Sequence, residues 1–300
     1  MIYTITFNPA LDYVMNVEKI STNDINRATS EKIYYGGKGI NVSAILKELD
    51  IPSVALGFVG GFTGNELIRL MNEDGIQSDF VKLESGYTRI NVKIRSNKEL
   101  DINADGPKIP EDKIDELFEK LDTLRNGDFL VLAGSIPSSL PSDIYSRIIK
   151  NLQDKDIKIV VDTSGKALIN VLSYKPFLIK PNHNELGNIF GKEMNTTEKI
   201  IEYGRKLWNM GAQNVLISRG ENGAVLLDEN GKVHIADVVK GKLVNSVGCG
   251  DSMVAGFIAG YIQNGDYEYA LKLSVATATA TAFSPELAKK NEIEQILNKI

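Results

Sequence analysis

The sequence of 300 residues contains a single cysteine, Cys249. One cysteine cannot form an intrachain disulfide framework, so a reducing compartment is the natural expectation. Apolar runs are also short, because none approaches the ~18 residues that a membrane-spanning helix requires. Residues 1–7 lack the charged region and the cleavage site of a secretory signal and have the pattern of a strand. These absences predict a cytoplasmic protein without a membrane partner.

Positive charge is scarce as well. The chain has 34 Lys and Arg residues against 39 Asp and Glu residues, which gives a net charge of −5, and the cations form no basic block. Nucleic acid is therefore not an expected partner, and a negatively charged substrate must be captured by local cations. His183 and His234 are not spaced as metal ligands with Cys249, so neither a zinc site nor a cysteine nucleophile is expected.

Apolar strands alternate with helices along most of the chain. The predicted strands lie at 2–7, 54–59, 128–133, 157–161, 177–180, 214–218, 224–227 and 232–236. The predicted helices lie at 40–49, 64–72, 111–124, 141–152, 197–209, 250–262, 266–282 and 289–298, with another that opens at 181–185. This alternation predicts an α/β fold with a doubly wound, mostly parallel sheet that is flanked by helices and binds ligands at the carboxyl ends of its strands.

Two segments, 11–35 and 79–104, do not fit that core. Short runs at 80–83, 89–94 and 100–103 alternate apolar and polar residues, as half-exposed antiparallel strands do. They predict a small antiparallel sheet beside the core, within a single domain that spans residues 1–300.

A glycine turn, Gly248-Cys249-Gly250, precedes Asp251 and an apolar helix. Glycines allow a sharp turn, and the partial positive charge of a helix N-terminus suits an anion. Asp251 has two interpretations, a helix cap or a carboxylate that accepts a proton from a hydroxyl as a phosphoryl group arrives. The helix field is expected to keep this carboxylate ionised, which makes it a weak base.

A second glycine-rich segment, Gly36-Gly37-Lys38-Gly39, is either a plain connector or a site for a sugar hydroxyl or phosphate. It matches neither a Walker A loop nor a dinucleotide fingerprint. Asp12 is either an exposed strand carboxylate or an acceptor for sugar hydroxyls.

Four cations are either solvated or gathered around a phosphate that the substrate already carries: Arg27, Lys38, Arg89 and Lys93. Arg89 and Lys93 share a face because they are four residues apart on one strand.

Asn182 and Glu185 share one face at a predicted helix start. Capping explains Asn182, but the pair could also hold Mg²⁺ through its waters. Residues 218–223 have the Asn-Gly signal of a hairpin turn, on which a nucleotide could also rest.

Taken in order, these segments resemble the ribokinase-like carbohydrate kinases known as the PfkB family. The segments that carry the resemblance are 8–12, 36–42, 133–137, 180–185 and 247–252. Two positions depart from the family pattern, since Ala133 stands where serine is usual and Cys249 where alanine or serine is more frequent. Both are small side chains, so the assignment is unaffected.

The resemblance implies a β-sheet lid formed by about 11–35 and 79–104, homodimers joined through the lids, and the cofactors ATP and Mg²⁺. It implies that Asp251 is the general base and that the amides of 248–250 form an anion hole. The residues implied to bind the sugar phosphate are Asp12, Arg27, Gly36, Gly37, Lys38, Asn41, Arg89 and Ser135. The residues implied to bind ATP are Lys180, Asn182, Ser218, Gly220, Gly223 and Gly250, and Asn182 and Glu185 are implied to hold Mg²⁺ through water.

Residues 88–93 and the region of Asp12 are most similar to the family members that convert fructose 1-phosphate to fructose 1,6-bisphosphate. The resemblance thus implies an ATP-dependent kinase of a ketohexose phosphate, with tagatose 6-phosphate and fructose 6-phosphate as alternative substrates. The alternative from another class is a non-catalytic sensor of sugar phosphates or nucleotides, which the intact Asp251 and its glycine turn argue against. A nicotinamide-dependent oxidoreductase is disfavoured because the dinucleotide fingerprint is missing.

Overall fold

The computed structural model describes residues 1–21, 23–97 and 99–300. The strands, in chain order, are β1 (Ile2–Thr6), β2 (Ala10–Asn16), β3 (Ser30–Gly36), β4 (Ser53–Gly60), β5 (Gln77–Ser78), β6 (Val81–Leu83), β7 (Arg89–Arg95), β8 (Glu99–Ile102), β9 (Phe129–Ala133), β10 (Lys158–Asp162), β11 (Leu178–Ile179), β12 (Asn214–Ser218), β13 (Ala224–Leu227) and β14 (Val233–Ala236). The helices are α1 (Lys38–Glu48), α2 (Gly61–Glu73), α3 (Glu111–Asp122), α4 (Ile144–Asn151), α5 (Gly165–Val171), α6 (His183–Phe190), α7 (Thr197–Asn209), α8 (Cys249–Asn264), α9 (Tyr267–Phe283) and α10 (Lys290–Leu297). Short 3-10 turns lie at Leu172–Tyr174 and Gly220–Asn222.

The larger sheet has the strand order β14-β13-β12-β11-β10-β9-β1-β4-β5, with β6 also paired to β4. Its strands are parallel except for the β12–β13 and β13–β14 pairs, which are antiparallel. The predicted mostly parallel sheet is therefore confirmed. β1 lies between β4 and β9, so the chain builds the sheet first to one side of β1 and then to the other. Such a reversal opens a crevice at the carboxyl ends of the central strands.

Both faces of this sheet are covered by helices, which explains why its strands read as continuous apolar runs. In β9, Leu130 and Leu132 pack into the layer that contains α3, α4, α5 and α7. Phe129 and Val131 pack into the opposite layer, with α1, α8 and α9. No helix in the described ranges combines the length and the apolar character that crossing a membrane requires.

The smaller sheet, called the lid sheet below, has the order β3-β2-β7-β8. Its outer pairs, β2–β3 and β7–β8, are antiparallel as predicted, but the central β2–β7 pair is parallel. The reason is topological: β2 and β7 each lead the chain out of the core, and β3 and β8 each lead it back. Two outgoing strands that lie side by side must run in the same direction.

The alternating sequence of the lid sheet gives it two different faces. The register aligns Asp12 with Tyr34 on one side and with Asn91 on the other, so these three side chains form a row on one face. This face is called the polar face. The opposite face carries the exposed apolar side chains of Ile33, Ile90, Leu100 and Ile102.

The expectation that residues 79–83 belong to the lid sheet is wrong. β6 pairs in parallel with β4, with Val81 opposite Phe58, and therefore extends the larger sheet. Phe80, Val81 and Leu83 are buried there. The exposed Lys82 between them produces the alternation that suggested a half-exposed strand. Thr22 and Lys98, which fall within the two predicted lid segments, lie outside the described residues.

Close packing of α8 on α9 generates a prediction about stability. A Cβ on Gly260 would lie 2.7 Å from the Cα of Ala270 in α9, where only backbone movement could relieve the overlap. We expect Gly260→Ala to lower the free energy of unfolding by about 1–3 kcal/mol, as overpacked cores do. This cost outweighs the gain of about 1 kcal/mol in helix propensity.

Urea denaturation measures this change. The control is Asn264→Ala at the exposed end of α8, for which a change within about 0.5 kcal/mol is expected. Equal stabilities for the two variants would show that α8 and α9 separate without cost.

Candidate active site

The first turn of α8 lies at the crevice and contains Asp251. The helix begins after Gly248, whose φ of 80° lies in the left-handed region. A Cβ there would also come 2.4 Å from Cδ2 of Leu287, so both conformation and space require glycine. The side chain of Asp251 does not cap the helix. It is buried and accepts a hydrogen bond from Nδ2 of Asn41 at 2.8 Å, so the capping interpretation is wrong.

The backbone of this turn is suited to an anion. The amide of Ser252 makes the first helical hydrogen bond, to the carbonyl of Gly248 at 2.8 Å. The amides of Cys249 and Gly250 precede it and need partners from outside the helix. Lys180 brings an ammonium group to the same place, since Nζ lies 3.1 Å from the position of a Cβ on Gly250. The free amides, the partial positive charge of the helix N-terminus and the ammonium group therefore all favour an anion at the same place.

Asp162, at the end of β10, lies where the start of α1 and the end of β11 meet. It was not among the residues predicted from the sequence. Its carboxylate is 2% exposed and lies 3.2 Å from Nζ of Lys38 and 3.2 Å from Nζ of Lys180. A buried carboxylate is costly unless it is paired, and two ammonium groups supply the pairing. The available signal was its position, because it ends an apolar strand at the sheet edge where ligands bind.

The two buried carboxylates have opposite pKa shifts. Burial and the neighbouring charge of Asp162 raise the pKa of Asp251 to about 6, although Lys38 and the hydrogen bond from Asn41 oppose the shift. Burial also opposes the charge of Asp162, but Lys180 and Lys38 outweigh it and hold the pKa of Asp162 below its ordinary value. The expectation of a low pKa for Asp251 is therefore wrong, because desolvation exceeds the effect of the helix field.

Glycines at the start of α1 bring its side chains to this crevice. Gly37, with a φ of 135°, is the residue before α1. A Cβ on Gly39 would lie 2.7 Å from the carbonyl oxygen of Ile5, so glycine lets α1 rest directly on β1. Lys38 and Asn41 then reach Asp162 and Asp251, respectively.

Asp12 lies on the polar face of the lid sheet with both carboxylate oxygens bonded. Oδ1 accepts from Nδ2 of Asn91 at 2.8 Å, and Oδ2 accepts from Nζ of Lys93 at 2.7 Å. Gly36 lies against it, since a Cβ there would be 3.0 Å from Oδ2. Arg89 donates instead to the backbone, from Nε to the carbonyl of Asn8 at 3.1 Å and from Nη1 to that of residue 104 at 3.2 Å.

Arg27 and Ser135, two of the residues predicted to bind the substrate, are both exposed. Arg27 is exposed in the loop between β2 and β3, at the end of the hairpin farthest from the core. Asn16, where β2 ends, is four residues from Asp12, about 13 Å along an extended strand. Arg27 is therefore separated along the hairpin from Lys38, which follows β3 at the root of the hairpin. Ser135 is exposed after the carboxyl end of β9.

The residues predicted to face ATP follow β11 and β12. Asn182 and Ser218 form an isolated parallel bridge that joins the two strand ends. Asn182 Oδ1 accepts from the amide of Glu185 at 2.8 Å, and Glu185 Oε2 accepts from the amide of Asn182 at 2.8 Å. The pair thus forms a capping box on α6, which confirms the capping interpretation of Asn182.

The 3-10 turn Gly220–Asn222 joins β12 to the antiparallel β13, so the predicted hairpin is confirmed. Gly223 has a φ of 76°, and a Cβ there would lie 2.0 Å from the carbonyl oxygen of Ala236. In the described part of the chain, no group of three or more His, Cys, Asp or Glu side chains is arranged to hold a metal ion.

The coupling of the two buried carboxylates can be measured by titration. Asp162→Asn should lower the pKa of Asp251 from about 6, because the variant removes the negative charge that raises it. Carbon-13 NMR of aspartate-labelled protein follows the carboxyl resonance, and Asp251→Asn identifies it. Circular dichroism checks that each variant is folded. An unchanged midpoint in folded Asp162→Asn would contradict the coupling.

The chain is similar to known proteins over nearly its whole length. A family model described as pfkB family carbohydrate kinase matches residues 6–293. The chain is 45% identical over 300 residues to the 1-phosphofructokinase of Bacillus subtilis, covering 100% of this chain and 98% of that protein. It is 37% identical over 301 residues to the D-tagatose-1-phosphate kinase of Bacillus licheniformis, covering 100% of this chain and 98% of that protein.

The fold is also similar to a solved structure, that of phosphofructokinase-2 from Escherichia coli in complex with fructose-6-phosphate. The TM-score is 0.92 at 26% identity, covering 99% of this chain and 98% of that one. The ribokinase-like α/β fold predicted from the sequence is thereby confirmed. With a family model that matches nearly the whole chain and relatives of full length, the chain belongs to the pfkB family of carbohydrate kinases.

Proposed function

We propose that the protein transfers the γ-phosphoryl group of ATP to the free primary hydroxyl of fructose 1-phosphate, forming fructose 1,6-bisphosphate and ADP. The observation that carries this proposal is the juxtaposition of the buried carboxylate of Asp251 with the open amides of the α8 turn. One group can accept a proton at the point where the others bind a phosphoryl group. Kinase chemistry needs both within reach of one oxygen atom.

In the proposed reaction, Asp251 accepts the proton of the sugar hydroxyl while that oxygen attacks the γ-phosphorus and ADP leaves. Its pKa of about 6 makes it a stronger base than an ordinary carboxylate, yet it remains charged above about pH 6. The amides of 248–250 and the ammonium of Lys180 stabilise the charge on the equatorial oxygens of the moving group. Asp162 holds Lys180 and Lys38 in place for this purpose.

The proposed reaction also requires sites for Mg²⁺ and ATP, which we assign to the ends of β11 and β12. Asn182 Oδ1 and Glu185 Oε2 are engaged in the capping box, which leaves Oε1 of Glu185 for a water molecule of a hydrated ion. This donor set fits Mg²⁺, which usually keeps several waters. When bound, Mg²⁺ would neutralise part of the negative charge of the ATP phosphates. Ser218, Gly220 and Gly223 form the turn beside which the nucleotide is proposed to lie, because glycines let a ligand approach the backbone.

The substrate proposal rests on the cations of the lid sheet and on the relatives. Lys93 and Arg89 lie beside Asp12, so a phosphate and hydroxyls of one sugar can be bound together. Relatives at 45% and 37% identity are named for fructose and tagatose phosphorylated at carbon 1. D-tagatose 1-phosphate, which differs from fructose 1-phosphate only in the configuration at carbon 4, is therefore the second candidate. The E. coli complex with fructose-6-phosphate is more distant, at 26%.

A coupled assay of ADP formation tests this function. The unaltered protein with Mg²⁺ and ATP should turn over fructose 1-phosphate with a higher kcat/KM than D-tagatose 1-phosphate, fructose 6-phosphate or tagatose 6-phosphate. Asp251→Asn should retain the fold and ATP binding but lower kcat by about 10²–10⁴-fold, the usual contribution of a general base.

The matched control is Asp266→Asn, at the other end of α8, where the carboxylate caps α9 and lies outside the site. It should keep the rate of the unaltered protein. Binding of sugar phosphate without turnover would instead favour the sensor alternative, and an undiminished rate in Asp251→Asn would remove this residue from the mechanism.

We also propose that two chains associate through the apolar face of the lid sheet. The four apolar side chains of this face are 41–55% exposed, and the register places them opposite the polar row. Exposed apolar patches of this kind mark interaction surfaces. A solved tetrameric inhibited form of E. coli phosphofructokinase-2 is among the similar structures.

Sedimentation velocity tests the association. Ile102→Glu should convert a dimer to a monomer, because a charge in an apolar contact must be desolvated. Met210→Glu, at a side chain 43% exposed and outside the lid sheet, is the control and should leave the dimer intact. A dimer that persists in Ile102→Glu would assign the contact to another surface.

A further inference from the structure

Two hydrogen bonds tie the polar face of the lid sheet to the connection between α9 and α10. The hydroxyl of Tyr34, in β3, donates to Oε1 of Glu286 at 2.7 Å. Lys32 lies on the same face of β3, and its Nζ is 3.3 Å from the same oxygen. Glu286 belongs to the connection between α9 and α10, which is part of the core. The carboxylate of Glu286 is thus a junction between the lid sheet and the connection that joins α9 to α10.

The lid end of this junction adjoins the candidate sugar site. Tyr34 is the cross-strand partner of Asp12, and Asp12 is the partner of Asn91 in the next strand. The three side chains form the row of the polar face, with neighbouring Cβ atoms about 5 Å apart. A displacement of Tyr34 therefore displaces Asp12, whose own bonds to Asn91 and Lys93 remain within the lid sheet.

The core end of the junction adjoins the α8 turn. Leu287, the residue after Glu286, packs against Gly248, where a Cβ would come 2.4 Å from its Cδ2. The amide of Ala288 donates to Oγ1 of Thr281 at 3.2 Å, and Thr281 is hydrogen-bonded at 2.8 Å to Ser252, the neighbour of Asp251. The connection that carries Glu286 is therefore fixed to the turn that holds the proposed base.

We propose that Glu286 is a positioning residue that fixes the sugar-binding row of the lid sheet over the α8 turn by accepting the hydrogen bond of Tyr34. The inference rests on the proposed function, because it assumes that the polar face binds the sugar phosphate. A second tie supports it from the other face: the hydroxyl of Tyr35 donates to Oδ2 of Asp74, after α2, at 2.8 Å. Adjacent tyrosines thus hold β3 from both sides.

This role predicts a selective effect on sugar binding. Without the tie, the lid sheet samples positions in which Asp12 is displaced from the α8 turn, and binding must restore the productive one. The apparent KM for the sugar phosphate should rise, while the chemistry in the fully bound complex and the binding of ATP at the other strand ends should change little.

The experiment compares three variants of the junction with one variant that removes a similar hydrogen bond elsewhere. Glu286→Ala and Tyr34→Phe should each raise the KM for fructose 1-phosphate about three- to tenfold, the effect of losing a charge-assisted hydrogen bond. Glu286→Gln keeps an acceptor and should restore most of the affinity. The control is Tyr13→Phe, which removes a tyrosine–glutamate hydrogen bond, to Glu31, that lies wholly within the lid sheet.

Further measurements distinguish positioning from general destabilisation. The values of kcat and of KM for ATP should stay within about twofold of the unaltered protein. Combining Glu286→Ala with Tyr34→Phe should have no more effect than Glu286→Ala alone, because the alanine already removes the acceptor of the Tyr34 hydrogen bond. Hydrogen exchange should be faster at the amides of β3 in these variants, but not at those of β1.

The outcomes separate this proposal from the proposed function. Unchanged KM and unchanged exchange in Glu286→Ala, or an equal rise of KM in Tyr13→Phe, would overturn the positioning role. If the unaltered protein turns over none of the sugar phosphates, the proposed function fails. Exchange at β3 still decides whether Glu286 holds the lid sheet, since that measurement needs no substrate.

Discussion

The buried carboxylate of Asp162 is the constraint on which the site depends. It joins Lys38, from the start of α1, to Lys180, at the end of β11, and both ammonium groups lie 3.2 Å from it. Removing the water from a buried ion costs several kcal/mol. A carboxylate at this depth is therefore stable only when cations such as these two ammonium groups stay beside it. Its charge also raises the pKa of Asp251. One residue thus holds the cationic surroundings in place and adds to the effect of burial on the pKa of the proposed base.

Much of the fold could be predicted because local patterns and tertiary structure agree. Apolar runs such as 128–133 became central strands, and the glycine segments became turns at the edge of the sheet. The errors arose where tertiary packing decides. Residues 80–83 alternate in sequence, yet β6 is buried on the larger sheet, and α5 (Gly165–Val171) was not predicted because it is short. Alternation of apolar and polar residues indicates that one face of a strand is exposed. Whether that face is in fact exposed depends on neighbours that are distant in the chain.

The sequence predicted which residues belong to the site better than it predicted which of them contact one another. Lys38, Asn41, Lys180 and Asp251 do meet, because motifs that follow parallel strands must converge on one edge. Asp162 was missed since its position at the end of an apolar strand is its only signal and no motif surrounds it. Arg27 was grouped with the other cations, but it lies in the loop at the far end of the hairpin from Lys38. The shift of the pKa of Asp251 could not be predicted either, because burial is a property of the folded chain.

The parallel pairing of β2 with β7 has a consequence for how the molecule folds. Asp12 and Asn91, which it brings together, are 79 residues apart in the chain, so their contact closes a long loop. Each half of the lid sheet is a single hairpin, and an isolated hairpin is marginally stable in water. We therefore expect the lid sheet to form after the core has brought the two hairpin roots side by side, and to open at a lower free energy than the central strands of the larger sheet. The residues proposed to bind the sugar phosphate are thus expected to become ordered after those proposed to serve as base and anion site.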